Sequence, residues 1–194
     1  MSATEKPTVL VIGVGNPLRG DDGAGAAVIQ RLQNRLSPFV LTDHALKVDS
    51  HVGLRCAHQL SAIFRLGGRA HLTRPTGIFM VTLQLDSDGV NLMEAWQGFK
   101  QVIVVDAACS GAVPGAIHRL DAPQSELQRG LFHYSSHLFG VAEAVELARQ
   151  LGRLPERLVI YGIEGVAFAY GEGLSAVVAE AVERVAAAIM AELE

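Results

Sequence analysis

The chain has 194 residues, 49% of them apolar, and a formal net charge of −4 from 16 basic and 20 acidic side chains. This composition excludes disorder along the whole length, and the balance of charge argues against a nucleic-acid partner, which needs a concentrated basic face. A single domain over residues 1–194 is expected from the length. No run of about 18 apolar residues predicts a membrane span, and the short run from Val9 leads into a glycine-rich turn rather than a cleavage site, so a cytoplasmic protein is expected.

Thr8 to Gly13 is apolar and rich in β-branched residues, which predicts a strand buried on both faces. Gly15, Asn16, Pro17 and Gly20 mark a loop, after which Asp21 or Asp22 is placed to cap a helix from Ala24 to Leu36. The segment from about Pro38 to Ile78 breaks the rhythm and reads as an atypical insertion. It is basic, with Lys47, Arg55, Arg65, Arg69 and Arg74 against Asp43 and Asp49. It also carries His44, His51 and His58 at a spacing of seven, which no carboxylate or thiolate repeats, so surface histidines are the expectation.

Phe79 to Leu85 predicts the next strand, ended by Asp86, Asp88 and Gly89, and Leu92 to Trp96 a short helix. Gln101 to Val105 is the clearest central strand, ending at Asp106. Ile117 to Leu120 suits a short edge strand. Ser135 or Ser136 is expected to open a helix with Leu138, Val141, Val145 and Ala148 on one face and Gly152 at its end. Leu158 to Ile163 is a further buried strand, and Ser175 is placed to cap a last helix with Val178, Val182, Val185 and Ile189 on one face. Strands that alternate with helices and are apolar throughout predict three layers: a mostly parallel, twisted sheet flanked by helices. Working residues of such sheets gather at the carboxyl ends of the strands.

Three polar residues stand at that edge: Asp22 after the first strand, Asp106 at the end of the central one, and His137 at the mouth of a helix. Two carboxylates and an imidazole suit nickel, zinc, manganese or iron better than calcium, and leave positions open for water or substrate. Each also has a plainer reading: a helix cap for Asp21 or Asp22, an acceptor of loop amides for Asp106, a first-turn residue for His137. A dinucleotide site is disfavoured, because Leu18 stands where the third glycine of the fingerprint belongs and Gln33, Asn34 and Arg35 where an acid should hold the ribose. No G-x-S-x-G elbow is present. Cys109 has no evident histidine partner and reads as a near-core thiol. Two cysteines, Cys56 and Cys109, make neither a disulfide framework nor a thiolate zinc site.

The runs VIGVGNPLRGDDGAG (Val11 to Gly25), VIVVDA (Val102 to Ala107), SSHLFGVAEAVELA (Ser135 to Ala148) and LVIYGIEG (Leu158 to Gly165) resemble the hydrogenase maturation proteases. The likeness covers the first 36 residues or so and nearly everything from Leu85 on. It implies the three-layer α/β fold and an endopeptidase that removes the C-terminal extension of the nickel-loaded large-subunit precursor of a nickel–iron hydrogenase. The family's metal-binding residues fall on Asp22, Asp106 and His137; the attacking water is activated either by the metal or by a carboxylate, with Asp22 or Asp106 as the catalytic general base. The resemblance further implies nickel carried by the substrate and no organic cofactor, with a protein partner and neither nucleic acid nor membrane. The alternative is a non-catalytic, nickel- or precursor-binding assembly factor of the same fold. Two departures stand out: the segment 38–78, longer than the family's usual passage from first helix to second strand, and EGVAFAYGEGLS (Glu164 to Ser175), a loop near the active edge suited to lining a peptide cleft.

Overall fold

β1 (Thr8–Val14) leads through a 3-10 turn (Gly20–Gly23) into α1 (Ala24–Arg35). Two short strands, β2 (Phe39–Val40) and β3 (His71–Thr73), precede β4 (Phe79–Leu85). There follow α2 (Gly89–Ala95), β5 (Gln101–Ala108), β6 (Ile117–Asp121), α3 (Val141–Gln150), β7 (Arg157–Glu164) and α4 (Ala176–Glu192). The computed structural model describes residues 8–35, 39–40, 71–73, 79–85, 89–122 and 140–193.

Among the described residues the strands form one seven-stranded sheet in the order β2-β3-β4-β1-β5-β7-β6. The four apolar runs of the sequence are its parallel centre, β4-β1-β5-β7. Antiparallel strands close both edges, β3 on β4 and β6 on β7. Alternation along each central strand feeds two cores. Leu10, Ile12 and Val14 face one side with Val102 and Val104, under α2 and α3. Val9 and Val11 face the other with Ile103 and Val105, under α1 and α4. The expected stripe of α4, Val178, Val182, Val185 and Ile189, is buried to 1% exposure or less. A Cβ on Gly25 would overlap the carbonyl oxygens of Val14 and Val105, and one on Gly13 would overlap that of Gly25. These two glycines let the first turn of α1 press onto the ends of β1 and β5. No helix among the described residues is long and apolar enough to cross a membrane.

Several elements differ from the sequence reading. The helix α2 starts at Gly89, three residues before the expected Leu92. β5 runs on to Ala108, so Asp106 lies within the strand, opposite Gly162 of β7. α3 starts at Val141. Gly140 is extended and stands at the N-cap, and the Glu143 carboxylate accepts its amide at 3.1 Å, which fixes the start at Val141. Finally, both ends of the 38–78 segment belong to the sheet, because β2 and β3 pair with Val40 opposite His71 and extend the β4 edge. Residues 41–70 lie outside the described residues, and with them His44, His51, Cys56 and His58; so do Leu36, Asp86, Asp88, Ser135, Ser136, His137 and Leu138.

Candidate active site

The loop after β1 is short and internally bonded. The Asn16 side-chain oxygen accepts the Leu18 amide at 2.9 Å, and the Asn16 carbonyl accepts the Arg19 amide at 3.0 Å. Gly15 holds φ at +110°, and a Cβ there would overlap the Asp22 carbonyl oxygen. Only glycine lets the chain leave β1 this close to the 3-10 turn. The result is that Asp22 folds back on the loop: its Oδ2 accepts the Asn16 amide at 3.1 Å, and the residue is 7% exposed.

Asp106 is 5% exposed, and its Oδ1 accepts the amide of Ala107 at 2.8 Å. Parallel pairing of β1 with β5, last registered at Gly13 and Val105, carries it to the same end of the sheet as Asp22. Burial pushes the Asp106 carboxyl up to about 7, the negative charge of Asp22 adds to the rise, and the Ala107 amide opposes it. The other oxygen of each carboxylate accepts no hydrogen bond from a described residue. The sequence-predicted pair is therefore brought together as two buried, mutually repelling acids. Among the described residues no group of three His, Cys, Asp or Glu side chains converges for a metal; His137 lies outside them.

Two other buried acids stand at this edge. Asp21 caps no helix with its side chain; it accepts four hydrogen bonds from the loop between β7 and α4. Glu164, 1% exposed at the end of β7, gathers the amides of Ser110, Gly111 and Ala112 on Oε1 at 2.7, 2.8 and 3.1 Å. Its Oε2 meets Ser110 Oγ at 3.0 Å and His118 Nε2 at 3.1 Å. Burial alone would raise its pKa, but the bonds from Ser110, His118 and the loop amides outweigh burial and hold it below the usual carboxylate value. Ser110 and His118 both address the carboxylate rather than each other, so they do not form a nucleophile–base pair. An acid directly after an apolar strand run was the signal for Glu164, the same signal that marks Asp106. Cys109 is a half-buried free thiol.

A family model for hydrogenase maturation protease (HycI) matches residues 83–192. The chain belongs to this family. Hydrogenase expression/formation protein HupD of Thiocapsa roseopersicina is 24% identical over 160 residues, 82% of this chain. The chain spans 55% of that relative's length. Among solved structures, the hydrogenase maturating endopeptidase HybD from E. coli aligns over 96% of this chain and 91% of its own, with TM-score 0.62 and 19% identity. The [NiFe] hydrogenase maturation protease HybD from Thermococcus kodakarensis aligns over 96% and 98%, with TM-score 0.59 and 20% identity. At such identities the structural likeness shows a shared fold. The family is one of hydrolases, proteases of hydrogenase maturation, as the resemblance in the sequence motifs implied.

Two buried carboxylates whose repulsion is only partly offset, each with an oxygen left over, fit a divalent cation as donors. A cation between them would remove the repulsion that now raises Asp106.

Proposed function

We propose that this chain is an endopeptidase that removes the C-terminal extension of a nickel-loaded hydrogenase large-subunit precursor. The observation that carries the reading is the pair Asp22 and Asp106, buried together at the carboxyl edge of the sheet with Asp106 pushed up to about 7. Perturbed acids of this kind mark sites of proton transfer. Asp22, Asp106 and His137 would hold the nickel that the substrate brings, and the bound ion would supply recognition of the loaded precursor. The carboxylates supply the acid–base chemistry. A water attacks the scissile carbonyl carbon, one carboxylate takes its proton, and that proton passes to the leaving amine as the C–N bond breaks.

Intact-mass spectrometry of a large-subunit precursor, nickel-loaded and nickel-free, incubated with the protein tests this. A single C-terminal loss in the loaded sample is expected, abolished by Asp22→Asn. Cleavage of both forms would remove nickel from recognition. A precursor that binds and stays intact would favour the assembly-factor reading.

A further inference from the structure

The acid beside Asp22 has no part in the chemistry above, yet it is fully buried and accepts four hydrogen bonds. Asp21 Oδ2 accepts the amides of Val166 and Ala167, both at 2.9 Å, and the Ser175 hydroxyl at 3.0 Å. Its Oδ1 accepts the Ser175 amide at 2.7 Å. The main chain follows the same path: Asp21 N donates to Ala167 O at 2.7 Å, Gly20 N to Glu172 O at 3.0 Å, and Gly171 N to Leu18 O at 2.9 Å. In the loop so held Val166 is 58% exposed and Tyr170 71%; Ala167 and Phe168 are half-buried, and the tip from Ala169 to Gly173 is exposed. Little apolar burial anchors its tip, so polar bonds set its position.

The path then returns to the acid pair. The Asn16 side-chain amide donates to Tyr170 Oη at 3.4 Å, while the Asn16 main-chain amide donates to Asp22. Asp21, the loop, Tyr170, Asn16 and Asp22 thus form a closed circuit. A buried carboxyl group accepting four bonds is a strong and directional anchor, and catalytic side chains must be held within a fraction of an ångström.

We propose that Asp21 is the positioning residue of this site, joining the turn that carries Asp22 to the 165–175 loop so that the two move as one unit. The kinetic part of the test rests on the endopeptidase reading; the exchange and titration parts do not. In Asp21→Asn the side-chain shape is kept, but an amino group faces donors and at least one of the three loop amides loses its acceptor. Amide exchange at Val166, Ala167 and Ser175 should quicken by tenfold or more, while β1 and β5 stay protected. Affinity for nickel ion alone, titrated calorimetrically, should fall at least several-fold. With nickel-loaded precursor, kcat per folded molecule, with the folded fraction taken from near-UV circular dichroism, should fall at least tenfold at nearly unchanged KM; a partly unfolded enzyme would keep the parental value on that scale. Ser175→Ala removes one bond of the four and should move each readout the same way by less; it carries the test if Asp21→Asn does not fold. Quickened loop exchange with parental nickel affinity and kcat would overturn the proposal, as would exchange that does not change. If the parent protein cuts no precursor, the endopeptidase reading fails alone, and exchange together with nickel affinity decides the role of Asp21.

Discussion

At the scale of single residues, Asp106 shows what the site costs the fold. A carboxyl raised to about 7 in the folded protein holds its proton more tightly than in the unfolded chain, whose value is near 3.8. Stability therefore falls as pH rises from about 4 to about 7, and the full penalty remains above that. Asparagine keeps the acceptor for the Ala107 amide without the charge. In chelator-treated protein, Asp106→Asn should match the parent near pH 4 and exceed it at pH 8, by up to about 4 kcal/mol from the size of the shift. Urea denaturation at the two pH values measures this; equal stabilities at pH 8 would contradict the burial argument. The same comparison explains why this acid was legible in the sequence. A carboxylate inside a run as apolar as QVIVVDAA pays desolvation that a structural role rarely justifies. Asp21 was not legible in this sense, because its donors lie about 145 positions further along the chain, and no local pattern marks a partner so distant. Glu164 falls between the two: its position after an apolar run was visible, but the loop amides it gathers were not.

At the scale of elements, the central strands were legible because strands buried on both faces need continuous apolar runs. Phe79–Leu85 has the bounds that its composition implies. Helix starts were legible in part: Ala24 opens α1 and Ser175 stands at the N-cap of α4 as expected, whereas the start of α3 was not. The serines at 135 and 136 are good caps by type, yet Gly140 is the cap, because Glu143 lies three residues after it and reaches back. The segment 38–78 misled for another reason: β2 and β3 are two and three residues long, too short for alternation to show. Their register, with Val40 opposite His71, brings the two ends of residues 41–70 together as a hairpin would. Replacing 41–70 by a four-residue turn containing Asn-Gly should therefore keep the sheet and cooperative unfolding. Extending the deletion through Arg74 removes β3 and bares the outer edge of β4, and this variant should aggregate. Circular dichroism and size exclusion on the two variants distinguish them; loss of fold in the shorter deletion would mean that residues 41–70 carry core contacts.

At the scale of the whole molecule, the two ends of the parallel sheet are built for different tasks. Asp21, Asp22, Asp106 and Glu164, four of the five buried polar side chains among the described residues, stand at or near the carboxyl ends of the strands. The amino ends are closed by α4. Glu192 lies beside Val9, Gln101 and Arg157, the early residues of β1, β5 and β7. Its carboxylate pairs with Arg119 at 2.9 Å and Arg157 at 2.8 Å and accepts the Tyr161 hydroxyl. Burial and then the Glu192 bond push the Tyr161 hydroxyl up to about 12, so it stays a donor throughout the working range. Glu192→Ala leaves the buried Tyr161 hydroxyl and two guanidinium groups without this acceptor, and should cost about 1–3 kcal/mol. Because the two clusters share no partners, its stability effect should add to that of Asp106→Asn within about 0.5 kcal/mol in the double variant. Its effect on catalysis should be nil: precursor cleavage by Glu192→Ala, measured well below its melting temperature, should keep the parental rate. A drop in rate without loss of folded protein, or a stability term for the double variant far from additive, would show that the two ends are coupled through the strands and that the separation of support from chemistry is incorrect.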